Sequence, residues 1–217
     1  MDFEQINNKY NTEFTNKLLK NKNIFYEIYE ACGNKFWNGC GSYLFDGQTY
    51  KYCDLMYEKQ ELLYEKVKNV KNVLEIGTYM GHSLLIMLLS NPELKITCID
   101  ISDEFTRPSV KVLNKYFNNA ITFIHSDSLT ALQKLCENGW QKFDFFHIDG
   151  HHENNYIKNE FTLIKKLNSR LNNVLQVLFD DQNCLTNLQG EIEANYNVIH
   201  KITPNCKWNN VYFEIQL

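Results

Sequence analysis

From residue 72 onward, short apolar runs alternate with longer segments whose apolar residues recur at helical spacing. The short runs are apolar at consecutive positions, which is typical of strands buried on both faces. They lie at residues 73–76, 95–100, 121–125, 143–149 and 174–180. The helical segments lie at residues 82–90, 109–117, 128–136 and 155–167. Strands that alternate with helices of this length predict βαβ units and a parallel sheet.

The last segments of the chain depart from this alternation. Residues 197–204 and 210–217 are both strand-like, and only a short turn separates them. Two such strands pair antiparallel, so we expect them together at one edge of the sheet. The pattern as a whole predicts an α/β fold: a Rossmann-like, seven-stranded and mostly parallel sheet with an antiparallel C-terminal strand pair and helices on both faces.

Residues 1–70 have a different pattern. Helical spacing is visible at 12–31 and 54–69, and the stretch between them, 36–54, is rich in aromatic residues and glycine. That stretch is either a packed surface loop or a lid over a ligand site, a common role of long aromatic loops. We therefore divide the chain into an N-terminal helical extension at 1–70, acting as lid or dimer contact, and a main domain at 71–217.

Composition limits the kinds of partner. The 217 residues are 44% hydrophobic and 22% charged, as in a globular protein, and the net charge of -4 does not favour nucleic acid as a partner. The seven cysteines form an odd number without CxxC spacing, which favours a reducing compartment. The first residues are polar, and the most apolar run, SLLIMLLS, is shorter than the ~20 residues of a membrane span. We expect a cytoplasmic protein that does not bind membranes.

A glycine-containing turn follows the first predicted strand, in the sequence LEIGTYMGHS at 74–83. Ligands of open α/β sheets bind at the carboxyl ends of the strands, and glycine lets a ligand approach the main chain. Dinucleotide sites use GxGxxG, whereas this turn reads ExGxxxG, and Glu75 suits an ammonium group better than a pyrophosphate. The following helix start suits a carboxylate. The turn therefore indicates S-adenosylmethionine, which carries both groups; a purely structural turn is the alternative.

Acidic residues after the next two strands fit the same ligand. Asp100 ends the second strand, where an acid binds ribose hydroxyls. Asp127 follows the third strand and is placed either to meet an adenine amine or to cap the next helix. The predicted cofactor site consists of residues at the ends of these strands: Glu75, Gly77, Thr78, Tyr79, Gly81, Ser83, Asp100, Ile101, Asp127, Ser128 and Asp149.

The sequence LEIGTYMGHSLL resembles the first motif of the cation-dependent O-methyltransferases, a group of class I S-adenosylmethionine-dependent methyltransferases that includes catechol and caffeoyl-coenzyme A O-methyltransferases. The resemblance covers roughly residues 54–217. It implies that Glu75 and Gly77 lie near the methionine amine, and that Tyr79 and Ser83 lie near its carboxylate. The segment EKQELL at 58–63 is similar to the lead-in of the family, with Lys59 where the family has glycine.

A second cluster of polar residues follows the fourth and fifth strands. Asp149 ends the fourth strand in HIDGHH, and Asp180 and Asp181 end the fifth in LFDDQN. Three carboxylates at one sheet edge would raise each other's pKa, which a divalent cation such as Mg²⁺, or Mn²⁺ or Ca²⁺, relieves. This cation would lower the pKa of a substrate hydroxyl and orient it. Alternatively, the Asp180–Asp181 pair caps the strand end. His147, inside the fourth strand, is interpreted as a packed histidine.

The resemblance adds roles for two of these residues. The family has an aspartate after the fourth strand and an Asp-Asn pair after the fifth, where this chain has Asp180 and Asp181. It has a lysine base three residues after the first aspartate, and this chain has His152 there. IDGxH at this place resembles a related group of small-molecule methyltransferases. We therefore predict His152 as the general base and Asp149 as the second catalytic residue.

The sequence thus predicts an S-adenosylmethionine-dependent O-methyltransferase, assisted by a divalent cation. Its acceptor is a small hydroxylated molecule: a sugar, nucleotide sugar, catechol or similar diol. A homodimer is expected by analogy only. Two alternatives stay open. An NAD-dependent Rossmann-type oxidoreductase is disfavoured by the glycine spacing, and a non-catalytic S-adenosylmethionine-binding module is disfavoured by the retained acids and His152.

Overall fold

The computed structural model describes residues 3–138, 142–169 and 173–217. The strands of the sheet are β1 (Asn72–Ile76), β2 (Lys95–Asp100), β3 (Ile121–His125), β4 (Phe145–Ile148), β5 (Val174–Phe179), β6 (Asn197–Ile202) and β7 (Val211–Gln216). The helices are α1 (Phe3–Lys9), α2 (Glu13–Lys20), α3 (Lys22–Ala31), α4 (Tyr57–Lys66), α5 (His82–Ser90), α6 (Thr106–Tyr116), α7 (Ser128–Asn138), α8 (Asn154–Ser169) and α9 (Thr186–Asn195).

The strand order is β3-β2-β1-β4-β5-β7-β6. The first five strands of this order are parallel, and β7 runs antiparallel between β5 and β6. The predicted mostly parallel sheet with an antiparallel C-terminal pair is therefore confirmed. Because the chain returns to the centre after β3, β1 and β4 become neighbours, and their carboxyl ends frame a crevice of the kind that binds ligands in such sheets.

Two apolar cores cover the two faces of the sheet. The core on one face contains residues of α1 to α6, and the core on the other contains residues of α7, α8 and α9. Helix α9 was not predicted, because its sequence TNLQGEIEAN is polar apart from two buried residues, Leu188 and Ile192. The prediction that every strand is buried on both faces is wrong for β3, which is an edge strand with partly exposed residues.

The N-terminal helices share the core of the sheet. Phe3, Phe14 and Phe25 are fully buried in the same apolar cluster as Val73 of β1 and Leu84 of α5. Roles of residues 1–70 as a lid or a dimer contact stay predictions, but these residues are integral to the packing of the main domain. In the part of the chain that the structure describes, no helix has the length and apolar character to cross a membrane.

Candidate functional site

A cavity of about 540 Å³ opens at the carboxyl ends of β1, β2, β4 and β5. Three groups of residues line it. The first follows β1, β2 and β3, and the second follows β4 and β5. The third comes from other segments, namely the aromatic stretch 36–54, Met56, Lys59 and Trp208. Of the predicted site residues, the cavity is lined by Gly77, Thr78, Tyr79, Ser83, Asp100, Ile101, Asp127, Ser128, Asp149, His152, Asp180 and Asp181.

Gly77 is required by a contact between two backbones. Its φ is +78°, and a Cβ built on it would lie 2.0 Å from the carbonyl oxygen of Asp149. The expected reason for this glycine was the approach of a ligand. That approach stays a prediction, because Gly77 also lines the cavity, and the structure adds a second reason: the end of β4 already occupies the space that a side chain would need. The turn after β1 and the end of β4 are therefore held in direct contact.

The turn after β1 is held by the acid that ends β2. The carboxylate of Asp100 accepts hydrogen bonds from the backbone N–H groups of Thr78 and Tyr79, both at 2.8 Å, and from the hydroxyl of Thr106 at 3.2 Å. Its other oxygen accepts from the N–H of Ser102 at 2.9 Å. Asp100 lines the cavity, as a ribose-binding acid must, but it also fixes the turn through its own hydrogen bonds.

Glu75 lies beneath the cavity and does not line it. Glu75 is fully buried, and its Oε1 accepts a 2.7 Å hydrogen bond from the hydroxyl of Ser83. Its Oε2 lies 3.6 Å from Nδ1 of the buried His147 and has no hydrogen-bond partner among the described residues. The sequence predicted that Glu75 contacts an ammonium group of the cofactor. In the structure Glu75 instead faces Ser83 and His147, outside the cavity lining. Gly81 also lies outside the lining, at the left-handed start of α5.

The residues after β3 serve both the cavity and the helix that follows. One oxygen of Asp127 accepts from the N–H of Thr130 at 2.9 Å, so the predicted capping role is confirmed. The other oxygen accepts from the hydroxyl of Tyr156. Ser128 donates to the buried Glu160, whereas Ile101 is 74% exposed at the rim. The predicted meeting of Asp127 with an adenine amine stays a prediction.

The acids after β5 have different surroundings. Asp180 is buried, and both of its oxygens lie 2.9 Å from Nζ of Lys59 in α4. The hydroxyl of Tyr43 lies 3.4 Å from Oδ1 of Asp180 and 2.8 Å from Nε2 of His147. A buried polar chain therefore runs from Asp180 through Tyr43 to His147, and His147 is a packed histidine as predicted.

Asp181 projects toward a different group of residues. Its φ of +49° is left-handed, and its Oδ2 lies 3.3 Å from Nδ1 of His152. Ligand atoms of Asp149, His152 and Asp181 all lie within 4.8 Å of one another. The predicted metal ligands were Asp149, Asp180 and Asp181. In the structure both oxygens of Asp180 accept from Lys59, so Asp180 does not join Asp149 and Asp181 in this group. Two carboxylates can hold a divalent cation such as Mg²⁺ whose other ligands are water, so Asp149 and Asp181 fit such an ion without His152 as a ligand.

Burial and mutual repulsion control the protonation of this cluster. Burial, followed by the charge of Asp180, raises the pKa of Asp149 well above its usual value. The same two causes raise the pKa of Asp181. Burial alone would lower the pKa of Lys59, but the charges of Asp180 and Asp149 more than reverse this, so the net pKa is raised and Lys59 stays charged. The cluster thus carries one internal positive charge beside three carboxyl groups.

The third group of lining residues comes from outside the strand ends. The backbone N–H of Trp37 donates to the hydroxyl of Tyr79 at 2.7 Å, and the two rings stack with centroids 5.2 Å apart. Trp37 and Trp208 are 45% and 42% exposed, at the cavity lining. The aromatic stretch therefore packs against the turn after β1 and lines the cavity beside it. Its role as a lid stays a prediction.

Sequence reasoning missed the parts of the site that come from distant segments. Lys59 and Trp208 had no predicted role, whereas Trp37 and Tyr43 were covered only by the prediction that the stretch 36–54 is a surface loop or a lid. Of the two missed residues, only Lys59 carried a signal. That signal is the presence of Lys59 where the resembled family has glycine.

Comparison with known proteins agrees with this geometry. A family model described as "O-methyltransferase" matches residues 58–183, more than half of the chain. The tapetum-specific methyltransferase 1 of Arabidopsis thaliana is 34% identical over 94 residues, which are 42% of this chain and 40% of that protein. The caffeoyl-CoA O-methyltransferase 1 of Eucalyptus globulus is 36% identical over 105 residues, 46% of this chain and 43% of that protein. The alignments span only 37–43% of the curated relatives.

Solved structures are similar over more of the chain. An O-methyltransferase from Bacillus cereus, in complex with S-adenosylhomocysteine, has a TM-score of 0.64 and 13% identity, covering 90% of this chain and 91% of that one. The O-methyltransferase TomG from Streptomyces achromogenes, in complex with S-adenosylmethionine, has a TM-score of 0.61 and 16% identity, covering 73% and 79%. At such identities the likeness establishes the fold alone.

Proposed function

Because the chain belongs to the O-methyltransferase family, we propose that it transfers the methyl group of S-adenosylmethionine to a hydroxyl group of a small molecule. The observation that carries the proposal is that the turn after β1 and the acid cluster after β4 and β5 line the same cavity. A methyl donor and a hydroxyl acceptor must lie side by side in one space that excludes water. The proposal is supported by the fact that both sets of residues face one cavity.

The donor half of the proposed site is built from the strand ends of β1 to β3. The start of α5 presents N–H groups that suit the carboxylate of the donor. Asp100 and Ile101 lie where ribose is bound in related sheets, and Asp127 and Ser128 line the next part of the wall. The backbone of Asp149 lies directly against Gly77, and its carboxylate suits the ammonium of the donor.

The acceptor half of the proposed site contains the acids and His152. We assign Asp149 and Asp181 as ligands of a divalent cation, either Mg²⁺ or Mn²⁺, with His152 adjacent to them. When bound, such an ion lowers the pKa of a coordinated hydroxyl. An acceptor with two neighbouring oxygens, such as a sugar or catechol, fits this chemistry best, and the rings of Trp37 and Trp208 suit an apolar or planar acceptor body.

His152 is proposed as the base that accepts the hydroxyl proton. Its Nδ1 lies 3.3 Å from Asp181, which can hold the imidazole with a proton on Nδ1 and leave Nε2 free as an acceptor. Its side chain is 57% exposed, so the ring can reach an acceptor in the cavity. The hydroxyl oxygen must then approach the methyl carbon from the side opposite the departing sulfur.

The test of the proposal combines binding and turnover. We expect S-adenosylhomocysteine to bind in calorimetry with one site per chain, and we expect labelled methyl groups to move from S-adenosylmethionine to members of a panel of diols, sugars and catechols. Chelation by EDTA separates the cation from the donor, since donor binding should survive it. A chain that binds no S-adenosylhomocysteine would contradict the proposal.

A further inference from the structure

Lys59 is a buried ammonium group inside the acid cluster. Its Nζ lies 2.9 Å from both oxygens of Asp180, and the side chains of Lys59 and Asp180 are only 4% and 7% exposed. The same Nζ lies 4.5 Å from the ring centroid of Tyr43, a contact that favours a cation. Lys59 is held by helix α4 and Asp180 by the end of β5, so the pair joins two rigid elements at the wall of the cavity.

This pair changes what the cluster can offer to a metal ion. A divalent cation needs carboxylate oxygens directed at it, and the ammonium of Lys59 already engages both oxygens of Asp180. The positive charge of Lys59 also repels a second cation placed among the neighbouring carboxylates. The ligand atoms that still converge, within 4.8 Å of one another, belong to Asp149, His152 and Asp181.

We propose that Lys59 is a positioning residue that acts as a built-in cation: it withholds Asp180 from the divalent ion and thereby lowers the affinity of the acid cluster for metal. The inference rests on the proposed function, in which a cation assists the acceptor half of the site. It differs from the resembled pattern, in which glycine stands at the position of Lys59. Asp180 then serves to anchor α4, and Asp149 and Asp181 provide the carboxylates that face the ion.

The first experiment measures Mn²⁺ binding directly, by electron paramagnetic resonance on the purified full chain after chelation and dialysis. We expect Lys59→Met to bind Mn²⁺ roughly 10–100-fold more tightly than the unchanged protein, because the variant frees one carboxylate and removes one positive charge. Lys66→Met is the matched control, since Lys66 lies on the same helix over the ring of Tyr212. Its Mn²⁺ affinity should equal that of the unchanged protein. An unaltered or weakened affinity in a folded Lys59→Met protein would overturn the proposal.

A second pair of variants keeps the proposal testable if Lys59→Met does not fold. We expect Lys59→Arg, which retains the charge, to keep the Mn²⁺ affinity within about threefold, and Asp180→Asn alone to weaken it, because the positive charge of Lys59 is then no longer neutralised beside the ion. An unchanged or higher affinity in Asp180→Asn, or a gain of about tenfold or more in Lys59→Arg, would overturn the inference. Where Lys59→Met folds, adding Asp180→Asn to it should remove the gained affinity.

Failure of this inference is distinguishable from failure of the proposed function. Binding of S-adenosylhomocysteine, measured by calorimetry on the same protein samples, reports on the donor half alone. If the unchanged chain does not bind it, the proposed function fails, while the comparison of Mn²⁺ affinities still decides the role of Lys59. If donor binding is intact and Lys59→Met gains no Mn²⁺ affinity, only the inference fails.

Discussion

At the scale of single residues, the contact between Gly77 and Asp149 sets the geometry of the site. The carbonyl oxygen of Asp149 occupies the place of a side chain on Gly77, and the φ of +78° at Gly77 disfavours any residue with a Cβ. The donor turn and the first acid of the acceptor half are therefore held against each other by a backbone contact, while the carboxylate of Asp100 fixes the turn itself.

We predict that Gly77→Ala disrupts both halves of the cavity. A contact of 2.0 Å cannot be kept, so the end of β4 must move away from the turn after β1. We expect a lower unfolding temperature together with loss of S-adenosylhomocysteine binding in calorimetry. Gly190→Ala in α9 is the control, since a Cβ there meets nothing within 4 Å, and it should stabilise the protein by about 0.5–1 kcal/mol. Undiminished donor binding in Gly77→Ala would contradict this reasoning.

His152 gives a prediction about rate rather than stability. If it is the base, His152→Ala should lower the rate of methyl transfer by roughly 10²–10⁴-fold while Mn²⁺ affinity changes little. Loss of Mn²⁺ binding instead would make His152 a ligand of the ion, beside Asp149 and Asp181. His200→Ala, on the exposed edge strand β6, is the control and should leave both measurements unchanged.

Glu160 gives a prediction about pH. It is fully buried, and burial raises its pKa from 4.5 to about 7, opposed by the hydrogen bond from Ser128. Because the pKa of Glu160 is higher in the folded than in the unfolded chain, its contribution to the free energy of unfolding is fully present below pH 4.5. That contribution is lost as the pH rises through about 7. Relative to Glu160→Gln, the unchanged protein should lose on the order of 3 kcal/mol of unfolding free energy between these limits.

Urea unfolding of both proteins at pH 4.5, 5.5, 6.5 and 7.5 measures this difference. The difference between the two proteins removes the contributions of groups that both share. A constant difference across this range would show that Glu160 titrates as it does in the unfolded chain.

At the scale of secondary-structure elements, the alternation of apolar runs and helical segments was sufficient to predict the sheet. Each predicted strand from 73–76 to 174–180 lies within a residue or two of an observed strand, because buried parallel strands need consecutive apolar residues. The strand-end acids could be placed for the same reason. Lys59 and Tyr43 could not be placed beside Asp180 from the sequence, since they lie 121 and 137 residues away from it. Their contacts with Asp180 depend on how α4 and the aromatic stretch pack on the sheet.

The N-terminal helices give a prediction at this scale. Phe25 of α3 is fully buried, with its ring centroid 4.3 Å from that of Tyr50 and 5.0 Å from that of His82 in α5. Phe25→Ala should therefore cost about 3–5 kcal/mol of unfolding free energy, measured by urea titration. Leu55→Ala, at a position that is 54% exposed, is the control and should change it by less than about 1 kcal/mol. A small loss for Phe25→Ala would mean that the N-terminal helices form a separate unit.

At the scale of the whole molecule, thermal unfolding distinguishes a chain that binds S-adenosylhomocysteine from one that binds NAD. A ligand that binds only the folded chain stabilises it by about 2.7 kcal/mol at one hundred times its dissociation constant. We expect this response to S-adenosylhomocysteine and none to NAD, because the turn after β1 lacks the GxGxxG spacing. A response to NAD alone would favour the oxidoreductase alternative.

The touching backbones of Gly77 and Asp149 also limit how this protein can diversify. A change that shifts one strand end must shift the other, so new acceptor preferences cannot arise by drift of these two ends. Diversification is instead left to the segments that reach the cavity from outside the sheet, the aromatic stretch 36–54 and the loop carrying Trp208. Descendants with altered selectivity should therefore accumulate their substitutions there, and directed-evolution libraries belong at the same positions.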